Sequence, residues 1–187
     1  MLVFLDFEAS SLGKKSHPIE VGWAFEDGRK ASYLIRPAPH WLDWDPAAAA
    51  IHRITRQELK DNGIPHDRVA RIMMHTLGGH DLLASAPSWD GKWLSTILRA
   101  AGFPRHSLRL RRSGDAHREV ATAILSPIVP AERLEQEVMD LLAHVDVRAG
   151  SAAPAHRALA DAEAERRHYI AVADAARIRA ADLISSM

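Results

Sequence analysis

The chain has 187 residues, 47% of them apolar, with 24 Lys and Arg balanced by 24 Asp and Glu, and no cysteine. That length suits one domain over 1–187 with a substantial core. The even charge balance excludes an overall field that recruits nucleic acid or a membrane surface, leaving only local basic patches for such contacts, and the lack of cysteine excludes disulfide frameworks and cysteine-ligated zinc or iron–sulfur centres.

The chain opens MLVFLDFE, and the apolar run Leu2 to Leu5 predicts a central strand covered on both faces. The run stops at Asp6 with no basic segment ahead of it, so neither a signal peptide nor a membrane span is expected, and a cytoplasmic protein is. Side chains alternate along a strand, which puts Asp6 and Glu8 on one face at its end. Two carboxylates so placed repel. A shared cation or a raised pKa relieves this, and hard oxygen ligands suit Mg²⁺ or Mn²⁺. For this pair alone, a solvated strand end is the competing reading.

The polar segment after Glu8 marks a loop. Ile19, Val21, Trp23 and Phe25 then alternate as a strand, Asp27-Gly28 signals a hairpin, and Ala31 to Arg36 supplies the returning strand. Asp45-Pro46 predicts the N-cap and first residue of a short helix, and Thr55 with Glu58 has the form of a capping box for a second. His52, between them, reads either as facing a ligand or, more plainly, as an exposed surface histidine. A helix is expected from Pro65 to Leu77, then a short buried strand over Leu82 to Ala84.

Ser88 is expected to cap the next helix, whose apolar positions Leu94, Ile97, Leu98 and Ala101 share one face. Asp90 lies on that face too. An inward acid needs a partner; the plainer role for an acid in a first turn is to complement the helix dipole. A further strand is expected at Leu108 to Leu110, amid the densest basic patch: Arg99, Arg105, Arg109, Arg111 and Arg112. That patch reads either as phosphate contacts or as a solvated face. Helices over Ala116 to Leu125 and Ala131 to His144 follow, then a small-residue loop from Ala149 to Ala155 and a long helix from about Arg157 to Ile184.

At the start of that helix stands HRALADA, His156 to Ala162. Inside one helix, His156 and Asp161 would be about 140° apart. The useful geometry therefore puts His156 on the loop and Asp161 in the second turn, with Pro154 upstream fitting a helix start.

Three segments in order, FLDFEA, SWDGKWL and HRALADA, together with IHRIT between the first two, resemble the DEDDh subgroup of the DnaQ-like 3′–5′ exonucleases. They span Leu2 to Ala162, and the third matches H-x-A-x-x-D-A in full. The chain departs from the family pattern at Ala9, where Thr is common, and at Ser85 and Ala86, where His-Asn is common. Those positions flank the terminal nucleotide in the family, so they bear on substrate preference rather than on the ligand set.

The resemblance implies an α/β, RNase H-like mixed five-stranded sheet flanked by helices, and hydrolysis of nucleic acid from its 3′ end to nucleoside 5′-monophosphates. It further implies two divalent ions, Mg²⁺ or Mn²⁺, held by Asp6, Glu8 and Asp161 with Asp6 shared, Asp90 acting through water, and His156 as general base. The implied partner is a single-stranded nucleic acid with a 3′ end, with no membrane; a polymerase partner or a homodimer is left open. Two other classes compete: a polymerase-accessory or nucleic-acid-binding module that keeps the fold and works through a protein partner, and a structural acid cluster with no nucleic-acid role.

Overall fold

The computed structural model describes residues 1–149 and 155–186, the side chains of 148 and 149 excepted. The expected loop at 149–155 falls outside these residues except at its two ends, and Pro154 falls outside them entirely.

Strand β1 is Leu2–Ala9, and its apolar run Val3, Phe4 and Leu5 is buried as the uninterrupted pattern requires. Strand β2, Pro18–Phe25, is buried at all eight positions, including Glu20. Strand β3, Lys30–Arg36, returns through the Asp27-Gly28 turn, where Gly28 takes φ 95, a value only glycine adopts without strain. Both short helices start as expected. For α1, Pro46–His52, the Asp45 carboxylate accepts from Ala47 N–H at 2.8 Å; for α2, Arg56–Asn62, Thr55 Oγ1 accepts from Glu58 N–H at 3.0 Å.

The remaining elements are β4 (Ile64–Pro65), α3 (His66–Leu77), β5 (Asp81–Ala84), α4 (Pro87–Ala100), β6 (Leu110–Arg112), α5 (Ser113–Leu125), α6 (Ala131–Ala149) and α7 (Ala158–Ser185). The sheet order is β4-β3-β2-β1-β5-β6. Antiparallel pairs β1–β2 and β2–β3 are flanked by parallel pairs β1–β5, β5–β6 and β3–β4. The mixed α/β architecture is the expected one; the sixth strand is the two-residue β4, too short to leave a periodic signal in the sequence.

One sheet face packs Val3, Leu5 and Trp23 against Met73 of α3 and Leu94 and Ile97 of α4. On the other, Phe4 and Leu83 meet Ala116 of α5 and Tyr169 of α7, and α5, α6 and α7 share a second core around Leu125, Val138 and Val172. No helix among the described residues is long and apolar enough to cross a membrane.

Three local expectations are corrected. Ser88 lies inside α4, which begins at Pro87 with Ala86 as its N-cap and no side-chain cap, because proline is preset for the first helical position. Strand β6 sits two residues later than expected, while Leu108 is buried beside it. His52 is 3% exposed, not a surface residue: its ring meets the edge of Trp44, and its Nδ1 accepts from Ile54 N–H at 3.1 Å.

Candidate active site

Strand β5 pairs with β1 only over Leu2 to Phe4. Beyond Phe4 the β5 side of β1 is open, and there the Asp90 carboxylate, 2% exposed, accepts from Phe7 N–H at 3.3 Å. Asp90 thus finds the partner an inward acid needs, in the backbone between Asp6 and Glu8. On the other side, Asp6 stands opposite Gly22 and Glu8 opposite Glu20, and the ladder shifts register between Glu8 and Ala9. Such irregularities re-aim side chains at strand ends.

Helix α7 reaches this spot because β2 makes room for it. A Cβ on Gly22 would fall 2.3 Å from Leu159 N and 2.5 Å from Leu159 Cα, so only glycine lets the first turn of α7 lie against the sheet beside Asp6. Glu20 then does what no local residue does for α7. Its carboxylate, in a residue 3% exposed, accepts from Ala158 N–H at 3.0 Å and pairs with Arg157 through Nε at 3.1 Å and Nη2 at 2.7 Å. A carboxylate at a helix N-terminus is doubly favourable, as hydrogen-bond acceptor and as complement to the dipole.

Arg157 is the N-cap residue of α7, so His156 stands just outside the helix and Asp161 lies in its first turn, a turn earlier than expected. Ala155 N–H donates to Asp161 Oδ1 at 2.9 Å and ties the His156 segment back to the helix. His156 itself is held at φ 52. Left-handed backbone at a non-glycine residue is costly and concentrates at functional sites.

These elements gather Asp6, Glu8, His156 and Asp161 around one cleft of about 350 Å³, with Ser85 and Glu165 also on its wall. Asp6, Glu8 and Asp161 each offer an oxygen within 4.8 Å of the others. Asp90 stands behind the cleft, on the β1 backbone. Burial, then the charges of Asp90, Glu8, Asp161 and Glu165, push the Asp6 carboxyl from an ordinary 3.8 up to about 9. Glu8 is pushed up to about 7 by burial and by Asp161 and Glu20, against which Arg157 is the opposing charge. Asp90 is also raised to about 7 by burial, with the Phe7 N–H holding it back. Three converged oxygen donors with more negative charge than the surrounding side chains neutralise fit a hard divalent cation.

The sequence reading passed over three contributors. Glu20 was detectable as an acid inside an otherwise apolar strand, and Glu165 as the i+4 neighbour of Asp161 on the same helix face, where Ser113 Oγ donates to its Oε2 at 2.6 Å. Gly22 carries no such signal, since a glycine in a strand has many uses. The basic patch resolves differently. Arg111 is spent on Asp81 and Glu119, at 2.7 and 2.9 Å.

With this geometry the chain is similar to solved exonuclease I structures. It is 19% identical, with a TM-score of 0.64, to the zinc-bound E. coli exonuclease I in complex with single-stranded DNA, over 99% of this chain and 42% of that one. A moderately thermophilic exonuclease I from Methylocaldum szegediense gives 18% and 0.63, over 90% and 40%, and another exonuclease I structure gives 18% and 0.65, over 99% and 43%. The fold is shared with the matched part of exonuclease I. At this identity the likeness speaks for an RNase H-like fold, not for activity or subgroup, and the chain spans about two fifths of the length of these proteins. No protein-family model matches the chain, and no curated protein matches it.

Proposed function

We propose that the chain is a single-domain, metal-dependent 3′–5′ exonuclease of the DEDDh type acting on single-stranded nucleic acid. The observation that carries this reading is the convergence of Asp6, Glu8 and Asp161, unneutralised and half-desolvated, on a cleft that His156 also lines. The fold supports it, since the E. coli exonuclease I structures that share it are complexes with single-stranded DNA, including a dA16 oligonucleotide.

In this reading Asp6, Glu8 and Asp161 would hold Mg²⁺ or Mn²⁺, with Asp90 supporting them from behind the cleft. Bound divalent ions would supply charge stabilisation at the phosphate and a more acidic attacking water. The chain's own residues do the rest. The imidazole of His156 accepts the proton of the water that attacks phosphorus, and the 3′ oxygen of the penultimate nucleotide leaves, releasing a nucleoside 5′-monophosphate. Glu20 and Gly22 position rather than react: they set the first turn of α7 against β1, which brings Asp161 to Asp6 and stations His156 at the cleft.

The test is turnover of 5′- and 3′-labelled single-stranded and duplex DNA and RNA with Mg²⁺, Mn²⁺ or EDTA. Stepwise shortening from the 3′ end, release of 5′-monophosphates and silence in EDTA are the expected results. Binding of strands without hydrolysis under either metal would favour the accessory module instead.

A further inference from the structure

Helix α1 ends at Arg53, whose φ 59 and ψ 23 are left-handed. Glycine or asparagine is the usual occupant of that conformation, because any branched or longer side chain pays in strain for its Cβ. Among the described residues, Arg53 and His156 are the non-glycine positions with positive φ. They line the same cavity, of about 320 Å³, with His52 and Arg53 on one side and His156 and Arg157 on the other. Because His156 also lines the acid cleft, the cavity is the cleft's immediate neighbour.

Two donors there lack acceptors. His52 Nδ1 accepts from Ile54 N–H, so the neutral ring carries its proton on Nε2. That Nε2 is buried and meets no acceptor among the described residues. Burial also holds His52 below its ordinary titration range, which keeps the ring neutral. The second donor is the Arg53 guanidinium. Arg157 across the cavity is committed to Glu20, whereas Arg53 has no acidic partner among the described residues. An arginine on the wall of this space, with an unsatisfied His52 N–H buried in the same wall and a cleft for a scissile phosphate next door, calls for a second anionic oxygen group.

We propose that Arg53 forms a phosphate subsite that grips the strand beside its scissile linkage. The inference rests on the exonuclease reading above. A strand ending in a free 3′ hydroxyl has no phosphate beyond the scissile one, so the group bound is the diester one nucleotide inward; a strand ending in a 3′-phosphate would present the same chemistry from the other side. The left-handed arginine is retained because its charge serves the strand, not the helix end.

The experiment compares the parent with Arg53→Gly and Arg53→Asn, both suited to left-handed backbone, by thermal unfolding and by fluorescence anisotropy on a single-stranded oligonucleotide in Ca²⁺ over a salt series. The variants should melt at or above the parental temperature, yet bind about 10-fold more weakly, with a salt slope lower by about 0.7. A neutral methylphosphonate at the penultimate linkage should weaken the parent to the same extent and cost the variants nothing further; if instead a 3′-phosphate tightens the parent alone, the subsite serves the strand terminus. Variants that keep the parental affinity and salt slope, with a parent that binds and cuts strands, overturn the subsite and leave the exonuclease reading standing. A parent that neither binds nor cuts any strand removes both.

Discussion

Two acid clusters in this molecule are treated in opposite ways. At the start of β5, Asp81 meets Glu119 around Arg111, whose guanidinium donates to both carboxylates at 2.7 to 3.0 Å. At the end of β1, Asp6, Glu8 and Asp161 converge as closely, and the charges acting on Asp6 are all acidic. The first cluster is neutralised by the fold and half open to water. The second is left in deficit and half-buried, so two of its carboxyls sit far above their ordinary range. A fold that builds ion pairs where it needs them, as with Arg157 and Glu20, has no difficulty supplying an arginine. What distinguishes the β1 cluster is that the charges set against Asp6 are all acidic.

The sharpest way to break this contrast is at Asp6. On the proposed function, Asp6→Asn should lower hydrolysis by at least about 10³-fold, since several kcal/mol of charge stabilisation at the phosphate would depend on the ions it would hold. The same change should strengthen the metal-free protein. With a folded value of about 9 against an ordinary 3.8, the folded protein holds a proton that the unfolded chain has released, so stability falls as pH rises from about 4 to about 9. Glu8 and Asp90, each raised to about 7, steepen the fall up to that pH. Melting temperatures in EDTA should therefore decline across this window, Asp6→Asn should flatten the decline, and Mn²⁺ should reverse it in the parent. A flat parental profile in EDTA would mean that the acids are compensated after all.

His156→Ala separates binding from chemistry within the cleft. Hydrolysis should slow on the order of 10² to 10⁴-fold while the Mn²⁺-induced rise in melting temperature survives, because the three carboxylates are untouched. If turnover at saturating metal is parental, His156 is not the base.

Gly22→Ala tests whether the cluster exists only because α7 can touch the sheet. With backbone atoms of Ala158 and Leu159 about 2.4 Å from the new methyl, the helix must shift, and overpacking of this kind costs about 1–3 kcal/mol. Both melting temperature and Mn²⁺ affinity should fall, the latter because Asp161 is carried away from Asp6. Unchanged affinity would show that the acids gather without that contact.

The smallest effect belongs to the neutralised cluster. Arg111→Met should cost at most about 1 kcal/mol, as partly exposed ion pairs do, and should leave the salt dependence of strand binding unaltered, since its charge already answers to Asp81 and Glu119. A reduced salt slope would restore Arg111 to the phosphate-binding patch that its sequence neighbours suggest.

Much of this was legible one residue at a time, because the signals are local. The apolar run into Asp6 and Glu8, the Asp27-Gly28 turn, the caps at Asp45 and Thr55 and the buried stripe of α4 all depend on neighbours within a few positions, and each appears as its pattern implies. The inward direction of Asp90 was legible in the same way, from helical spacing alone. At Ser88 the slip was local, since Pro87 takes the first helical position; at His52 it was a packing contact, since neither period nor capping foretells that Trp44 closes over the ring.

The sequence by itself therefore determined the order of strands and helices, the acids at the end of β1 and the position of His156 ahead of α7, since period, capping and alternation are properties of consecutive residues. Only the tertiary structure decided that Glu20 caps a helix 138 residues away, that Gly22 opens the sheet to that helix, that Asp90 takes up the backbone N–H which β5 is too short to pair, and that Arg111 is neutralised by acids while Asp6 meets only like charges. Each of those outcomes depends on which charges and donors are brought within hydrogen-bonding reach after water is expelled, and chain order does not encode that distance.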